Sequence, residues 1–460
     1  GTNYDHLNGL GKGKEAQLLL TTKEQIRRRT RSKSFLATDA FSYQGYFRQV
    51  RIWDESLLVG QPIAINNWEF GALLKHAAEC PEAVQYVDEM MQEIKLIEHT
   101  CSFLVPPVPI SEYQWQSLFA EQPDDVQRLS DTLREIAGTE VTVMSGQRGP
   151  VIVDMYETLP DDFKPCLVTD ASARVNATYQ LHDKHRQDIE WLPTATKDYS
   201  NVTFHCIDMA AGKSVCKEKR KPVIQEIIAI IDSIPSEKFL VVHHHSWDDV
   251  VKRICSSVQS PDRVQFMHWG IHTATNDFSN VSNIIIVGLH QYRSVDYEAI
   301  GRAAAGRHTA DGEFTAKEKQ LIKQGEISHH LLQSVGRGKI RYCVQGQAPP
   351  ARVWVIDAKR TGSSKLISST FPRCKTQNWL LKSKSVINTQ TEEVLQYLIE
   401  QKEHGNTRVH FSEVNNIANK RDWSHFKRDI YNKPQFQQAL TKLGYTMTGS
   451  GRHRAFVLED

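Results

Sequence analysis

Apolar residues along this chain fall into four successive patterns. In residues 1–60 they come as short runs that end on threonine or on acids: "AQLLLTT" (Ala16 to Thr22), "SFLATDAF" (Ser34 to Phe41) and "RQVRIWDESLL" (Arg48 to Leu58). Runs of this length suit buried parallel strands meeting their loops, so the stretch is expected to be α/β. Residues 61–160 change period. "FGALLKHAAECPEAVQYVDEMMQEIKLIEHT" and "DDVQRLSDTLREIAG" have helical spacing, the second opening on aspartate at a helix N-terminus. A helical insertion or subdomain is expected there. In residues 161–360 the runs "PCLVTDASAR", "NVTFHCI", "KFLVVHHH", "RVQFMHWG", "NIIIVGL" and "ARVWVID" alternate with helical stretches such as Pro222 to Ser236 and Trp247 to Val258. That alternation predicts a parallel sheet covered by helices on both faces. Residues 361–385, rich in Ser, Thr, Lys and Pro, read as a linker. Residues 386–460 read as helices followed by a basic hairpin, "GYTMTGSGRHRAFVLED", the pattern of a winged helix.

Composition adds limits. The chain has 460 residues, 40% hydrophobic and 24% charged, an ordinary globular balance. Its longest apolar runs, "VIQEIIAIIDSI" and "NIIIVGL", are shorter than the roughly 18 residues that span a bilayer, so no membrane partner is expected. The first thirty residues lack a signal-peptide pattern. The eight cysteines include no Cys-x-x-Cys pair, which points to reduced thiols and a cytoplasmic location. Residues 361–460 hold 15 Lys and Arg against 9 Asp and Glu, a net of +6; the whole chain nets +2, so the first 360 residues net −4. A basic tail on a near-neutral body favours a polyanion.

Three places can carry chemistry. Asp54 and Glu55 close a strand in "RIWDES", where one acid can hold Mg²⁺ through water and the other orient an attacking water; a plain surface turn has the same look. The loop inside "HWGIHTATNDFSNVSNIIIVGL" precedes a strand, and Thr273, Thr275 and Asn276 could donate to phosphates or merely cap a helix. "HHLLQSVGRGKIR" combines Gln333, Gly336, Arg337 and Arg341. Arg337 is the candidate finger, because a guanidinium matches phosphate geometry; a cationic helix end with a glycine cap is the plain alternative. Three adjacent histidines in "VVHHHSWDD" invite a metal reading, but they alternate across a strand and do not easily converge. Trp269, Phe278, Tyr292 and Trp354 suit either base stacking or a core.

Taken in order, these segments resemble the motif set of superfamily 2 helicases and translocases over roughly residues 15–360. Asp54 and Glu55 match the DExx motif II, and "DASAR" resembles motif III, the coupling segment, although it stands far downstream. "KFLVVHHHSWDDVVKRI" resembles motif IV, "TATNDFSNVSNIIIVG" motif V, and Gln333, Gly336, Arg337 and Arg341 motif VI. The resemblance implies two RecA-like domains, the first incomplete here, with ATP and Mg²⁺ between them and single-stranded nucleic acid across their tops. It implies NTP-driven movement on nucleic acid, DNA before RNA. The basic residues Lys420, Arg421, Lys427, Arg428, Arg452, His453 and Arg454 of the C-terminal unit would then contact phosphate. Two departures stand out. The last motif VI arginine comes one residue late. No G-x-x-x-x-G-K-[ST] is present; "GLGKGKE" (Gly9 to Glu15) lacks the Ser or Thr and does not follow a strand. The phosphate-binding loop is therefore expected from an upstream segment or a separate chain. The rival expectation is a catalytically inactive helicase-like subunit for nucleic-acid binding or assembly.

Overall fold

The structure is a computed structural model that describes residues 18–30, 34–271, 277–358, 361–379, 389–420 and 422–458. It is α/β, built on parallel sheets, with an insertion after the first strand and a small α+β unit at the C-terminal end.

The first strand is β1 (Ile52–Asp54). The two earlier runs expected as strands are not strands. Of "AQLLLTT", Ala16 and Gln17 lie outside the described residues; Leu18 to Thr22 is irregular chain that leads into the helix Lys23–Thr30. "SFLATDAF" is a turn that leads into a short 3-10 helix, Asp39–Phe41, and the Asp162 carboxylate takes the hydrogen bonds of its start: from the Ser34 hydroxyl at 2.6 Å, the Phe35 N–H at 2.7 Å and the Leu36 N–H at 3.1 Å. Backbone donors satisfied by a side chain are not free for a ladder.

The insertion holds β2 (Gly60–Asn66), β3 (Cys101–Leu104), β4 (Glu140–Gly146) and β5 (Gly149–Glu157), an antiparallel sheet in the order β2-β5-β4-β3. Four helices, Asn67–His76, Pro81–Lys95, Glu112–Phe119 and Asp124–Ile136, cover one face over Phe70, Leu73, Val87, Trp115 and Leu133. The helical periodicity of 61–160 is thus real, and the sheet is an addition to it. The sheet's other face, with Met144, Val151 and Val153, packs on Val295 and Ala299 of the helix Ser294–Ala305. Contact there is close: a Cβ on Gly60 would sit 2.7 Å from the Ala303 carbonyl oxygen.

Strand β6 (Leu167–Thr169) follows the insertion and pairs in parallel with β1, Asp54 opposite Thr169. Its run was expected in the second sheet. Pairing assigns it to the first unit, so that unit resumes after the insertion.

The second unit holds β7 (Val202–Asp208), β8 (Phe239–His243), β9 (Val264–His268), β10 (Asn283–Val287), β11 (Ala351–Asp357) and β12 (Lys375–Asn378), all parallel in the order β12-β7-β11-β10-β8-β9. Alternate side chains feed two cores. Leu240, Val242, Ile284 and Ile286 face the helices Ala316–Val335 and Ser363–Thr370; Val241, Ile285 and Ile356 face Lys217–Asp232 and Asp248–Ser257. Residues 361–379, expected as linker, supply a helix and the edge strand β12.

The C-terminal unit has helices Thr389–Glu403, Phe411–Ala418 and Pro434–Leu443 against β13 (Arg408–His410), β14 (Tyr445–Thr448) and β15 (Ala455–Leu458), antiparallel in the order β13-β15-β14. Helices before a basic hairpin match its sequence pattern.

One helix crossing bears on the site. Where Ala316–Val335 passes the start of the helix Ala177–Arg186, a Cβ on Gly325 would lie 2.5 Å from the Ala177 nitrogen. Gly325→Val is expected to destabilise the protein by about 1–3 kcal/mol through overpacking. Thermal unfolding checks this, and an unchanged midpoint would mean the crossing has room.

Candidate nucleotide site between the two parallel sheets

Asp54 ends β1 and Glu55 follows it. Both are tied to β6: the Thr169 hydroxyl donates to Asp54 Oδ1 at 3.0 Å, and the Glu55 N–H donates to the Thr169 carbonyl at 3.1 Å. Glu55 takes a left-handed backbone, φ 69°. That conformation costs a non-glycine residue roughly 1–2 kcal/mol and turns the chain sharply where the strand stops. The Glu55 side chain is 55% exposed.

Opposite lies the end of the helix Ala316–Val335. Gly336 caps it in a right-handed conformation, so no left-handed cap explains that glycine. Arg337 follows, and only 9% of it is exposed. Its Nη2 donates to Gln333 Oε1 at 3.3 Å and stands 3.9 Å from Glu55 Oε1. Burial works against the charge on Arg337, the Glu55 carboxylate works for it, and the nearby Arg341 against it; a guanidinium stays protonated throughout. Arg341 sits in the turn Lys339–Arg341, whose carbonyls at Ile340 and Arg341 accept from Lys197 Nζ. The structure thus brings Asp54, Glu55, Gln333, Arg337 and Arg341 to one place, from segments that belong to two sheets.

Sequence reasoning passed over Gly338. A Cβ there would lie 2.8 Å from the Val281 carbonyl oxygen and from Ile284 Cδ1, and the next N–H, of Lys339, bonds that Val281 carbonyl at 2.8 Å. Close approach to β10 is therefore made at Gly338 rather than Gly336, and it fixes the chain just past the finger. Thr169, Ser172 and His329 lie in or beside the quoted segments but were given no role of their own; His329 stands four residues before Gln333, a helical spacing visible in the sequence.

The candidate nucleic-acid contacts fare differently. Thr273, Thr275, Asn276 and Arg421 lie outside the described residues, as does the side chain of Arg452. Lys420 and Arg428 both pair with Asp429, at 3.3 and 2.7 Å. The Arg454 guanidinium lies 4.0 Å over the Trp423 ring, with Phe411 alongside at 5.9 Å, so its face is committed to a cation–π contact. Lys427 is exposed, as is His453. Trp269 and Trp354 are buried and stack on His290 and His205, and the Tyr292 hydroxyl meets His330 Nε2 at 2.8 Å; Phe278 is partly buried against the second-unit core. Burial pushes His244 and His290 down to about 4, so both are neutral. Among the described residues no group of three His, Cys, Asp or Glu side chains is placed to hold a metal, and no helix is long and apolar enough to cross a membrane.

No protein-family profile and no curated protein matches the chain. Among solved structures, a chain described as XPD apo is similar over 72% of this chain and 76% of its own, at 12% identity and a TM-score of 0.38. One described as XPD helicase is similar over 73% and 70%, at 12% identity and a TM-score of 0.35. At those values the likeness assigns no residue a role.

Proposed function

We propose that the chain is a nucleic-acid-dependent ATPase of helicase or translocase type, with the nucleotide held between the two parallel-sheet units. The observation that carries this reading is the approach of Arg337 to Glu55 at 3.9 Å, from opposite units. Glu55, exposed at its tip, accepts from and orients the attacking water. Arg337, held by Gln333, offers two N–H groups to charge that develops on the transferred phosphoryl group. Asp54 fits an Mg²⁺ ion held through water: its oxygens are hard donors, and Thr169 fixes the rotamer through Oδ1. That ion, when bound, supplies charge neutralisation at the phosphates. Nucleic acid would meet the strand-end loops and the basic C-terminal unit, where Lys427, Arg428 and His453 are exposed among the described residues.

Among the described residues no phosphate-binding loop stands beside Asp54 and Glu55. Among the described residues β1 and β6 pair only with each other, and Ile52 and Leu167 are 61% and 44% exposed. Parallel sheets are ordinarily covered and more than two strands wide. We read this as a sheet completed by further strands that bring the loop, from an upstream segment or a separate chain. The same bare edge also favours the second reading, a binding or assembly subunit without turnover.

ATP hydrolysis with and without single-stranded DNA, for the chain alone and joined to its completing segment, beside Glu55→Gln, tests this. The expected result is DNA-stimulated turnover in the completed protein that Glu55→Gln abolishes. Turnover by the chain alone would place the loop within it. No turnover in either form, with DNA binding retained, would replace the ATPase reading by the binding subunit.

A further inference from the structure

Gly325, His329, Gln333 and Arg337 succeed one another at four-residue intervals, so they share one face of the helix Ala316–Val335 and its cap. Gly325 seats that face on Ala177, and Gln333 holds Arg337. His329 makes the contact between them.

His329 Nδ1 stands 2.6 Å from Ser172 Oγ, and Ser172 Oγ stands 2.6 Å from Asp170 Oδ1. The same Oδ1 accepts from the Ser172 N–H at 2.7 Å, so the carboxylate is the acceptor on this side. A hydroxyl has one proton to give. Ser172 therefore donates to Asp170 and accepts from His329, which fixes the proton of His329 on Nδ1. The order carboxylate, hydroxyl, imidazole differs from that of an acyl-transfer triad, where the imidazole stands in the middle. Ser172 is also fully buried, so it is no nucleophile.

The other end of the chain of bonds returns to the acid pair. Asp170 Oδ2 accepts from the Tyr179 hydroxyl at 3.0 Å, and that oxygen accepts from the Leu57 N–H at 2.9 Å. Leu57 lies two residues after Glu55. Thr169, next to Asp170, bonds Asp54 and Glu55 directly. Both flanks of the Asp54–Glu55 turn are thus joined through Asp170 to the helix that carries Arg337.

We propose that His329 is a positioning residue: through Ser172 and Asp170 it sets the register of the Gln333–Arg337 face against the Asp54–Glu55 turn, and so the approach of the guanidinium to Glu55. The proposal rests on the reading of Glu55 and Arg337 as partners in one site, and it is tested without requiring turnover. Burial holds His329 toward its neutral form, with Asp170 opposing, which agrees with an imidazole that acts as a neutral donor.

The experiment is an Nε–Hε NMR spectrum of the full chain labelled with ¹⁵N-arginine, the Arg337 resonance being assigned by its loss in Arg337→Lys. Glu55→Gln defines the shift on losing the partner. His329→Ala is expected to move the resonance in the same direction, and Glu55→Gln should then add nothing. His329→Asn, whose amide N–H replaces Nδ1–H, is expected to keep the wild-type position. If His329→Ala leaves the resonance in place and still responsive to Glu55→Gln, the proposal is wrong. If His329→Asn behaves as alanine does, packing rather than the hydrogen bond is at work and the proposal is equally wrong. Should His329→Ala fail to fold, Ser172→Ala keeps the helix packing and removes the same link. In the completed enzyme His329→Ala should lower kcat by about 10²-fold, the scale of a 1 Å misplacement, at unchanged KM for ATP. Absence of turnover would count against the ATPase and leave the NMR result to decide the positioning role.

Discussion

On the proposed ATPase reading, Arg337→Ala is expected to reduce nucleotide turnover by about 10³-fold or more, the range for an arginine that stabilises phosphoryl-transfer charge, and to leave binding to single-stranded DNA largely intact. The reason lies in where the side chain is held. Arg337 is 9% exposed, close to Glu55 and hydrogen-bonded to Gln333. It follows the helix of one unit and stands 3.9 Å from the carboxylate of the other. Lysine should restore little, because an ammonium keeps the charge without the fork of N–H groups. Turnover and DNA affinity measured on the same preparations check this. Unchanged turnover in Arg337→Ala would remove the finger assignment. A parallel loss of DNA binding would mean that the guanidinium holds the two units together rather than acting on phosphate.

The parts of this site that could be read in the sequence are those whose signal is local. Asp54 and Glu55 close a strand, and Gln333 and Arg337 are one helical turn apart; both facts need only a short window. What joins them is not local. The Asp54–Thr169 pairing spans the whole insertion, and nothing in either segment announces the other. Asp170, Ser172 and His329 likewise meet only in the fold. Some strands were hidden for the opposite reason. Lys375–Asn378 is exposed at every residue, since it is an edge strand, and so it shows no apolar period. β4 is buried on both faces from Val141 to Met144, so it lacks the alternation that marks a half-buried strand, and helical neighbours dominate its region. Charge alone does not show how the cations of the C-terminal unit are held. Arg454 lies far from Trp423 in sequence, and only the fold shows that the ring occupies the guanidinium's face.

The largest stability effect is expected at Glu298. Glu298 and Arg302 are both 0% exposed, one turn apart on Ser294–Ala305, with Arg302 Nε 3.2 Å from Glu298 Oε1. Lys319 Nζ reaches Glu298 Oε2 at 3.1 Å, and the Phe314 N–H donates to Oε1 at 3.3 Å. Glu298→Ala would leave a fully buried guanidinium without its counter-charge, which costs about 3–5 kcal/mol. Replacing both, Glu298→Leu with Arg302→Met, fills the volume and removes both charges, and should cost much less by the same principle. The consequence extends beyond the pair, because this helix is what the insertion sheet packs on through Val295 and Ala299. Hydrogen exchange over residues 294–305 and over β2 and β5, together with the urea midpoint, reads the effect in each variant. If the double variant is as destabilised as Glu298→Ala, the loss comes from packing and the charge argument fails. If it recovers while Glu298→Ala exposes β2 and β5 to exchange, the buried pair fixes the insertion to the second sheet, and the insertion, although it interrupts the first unit in sequence, is carried by the second.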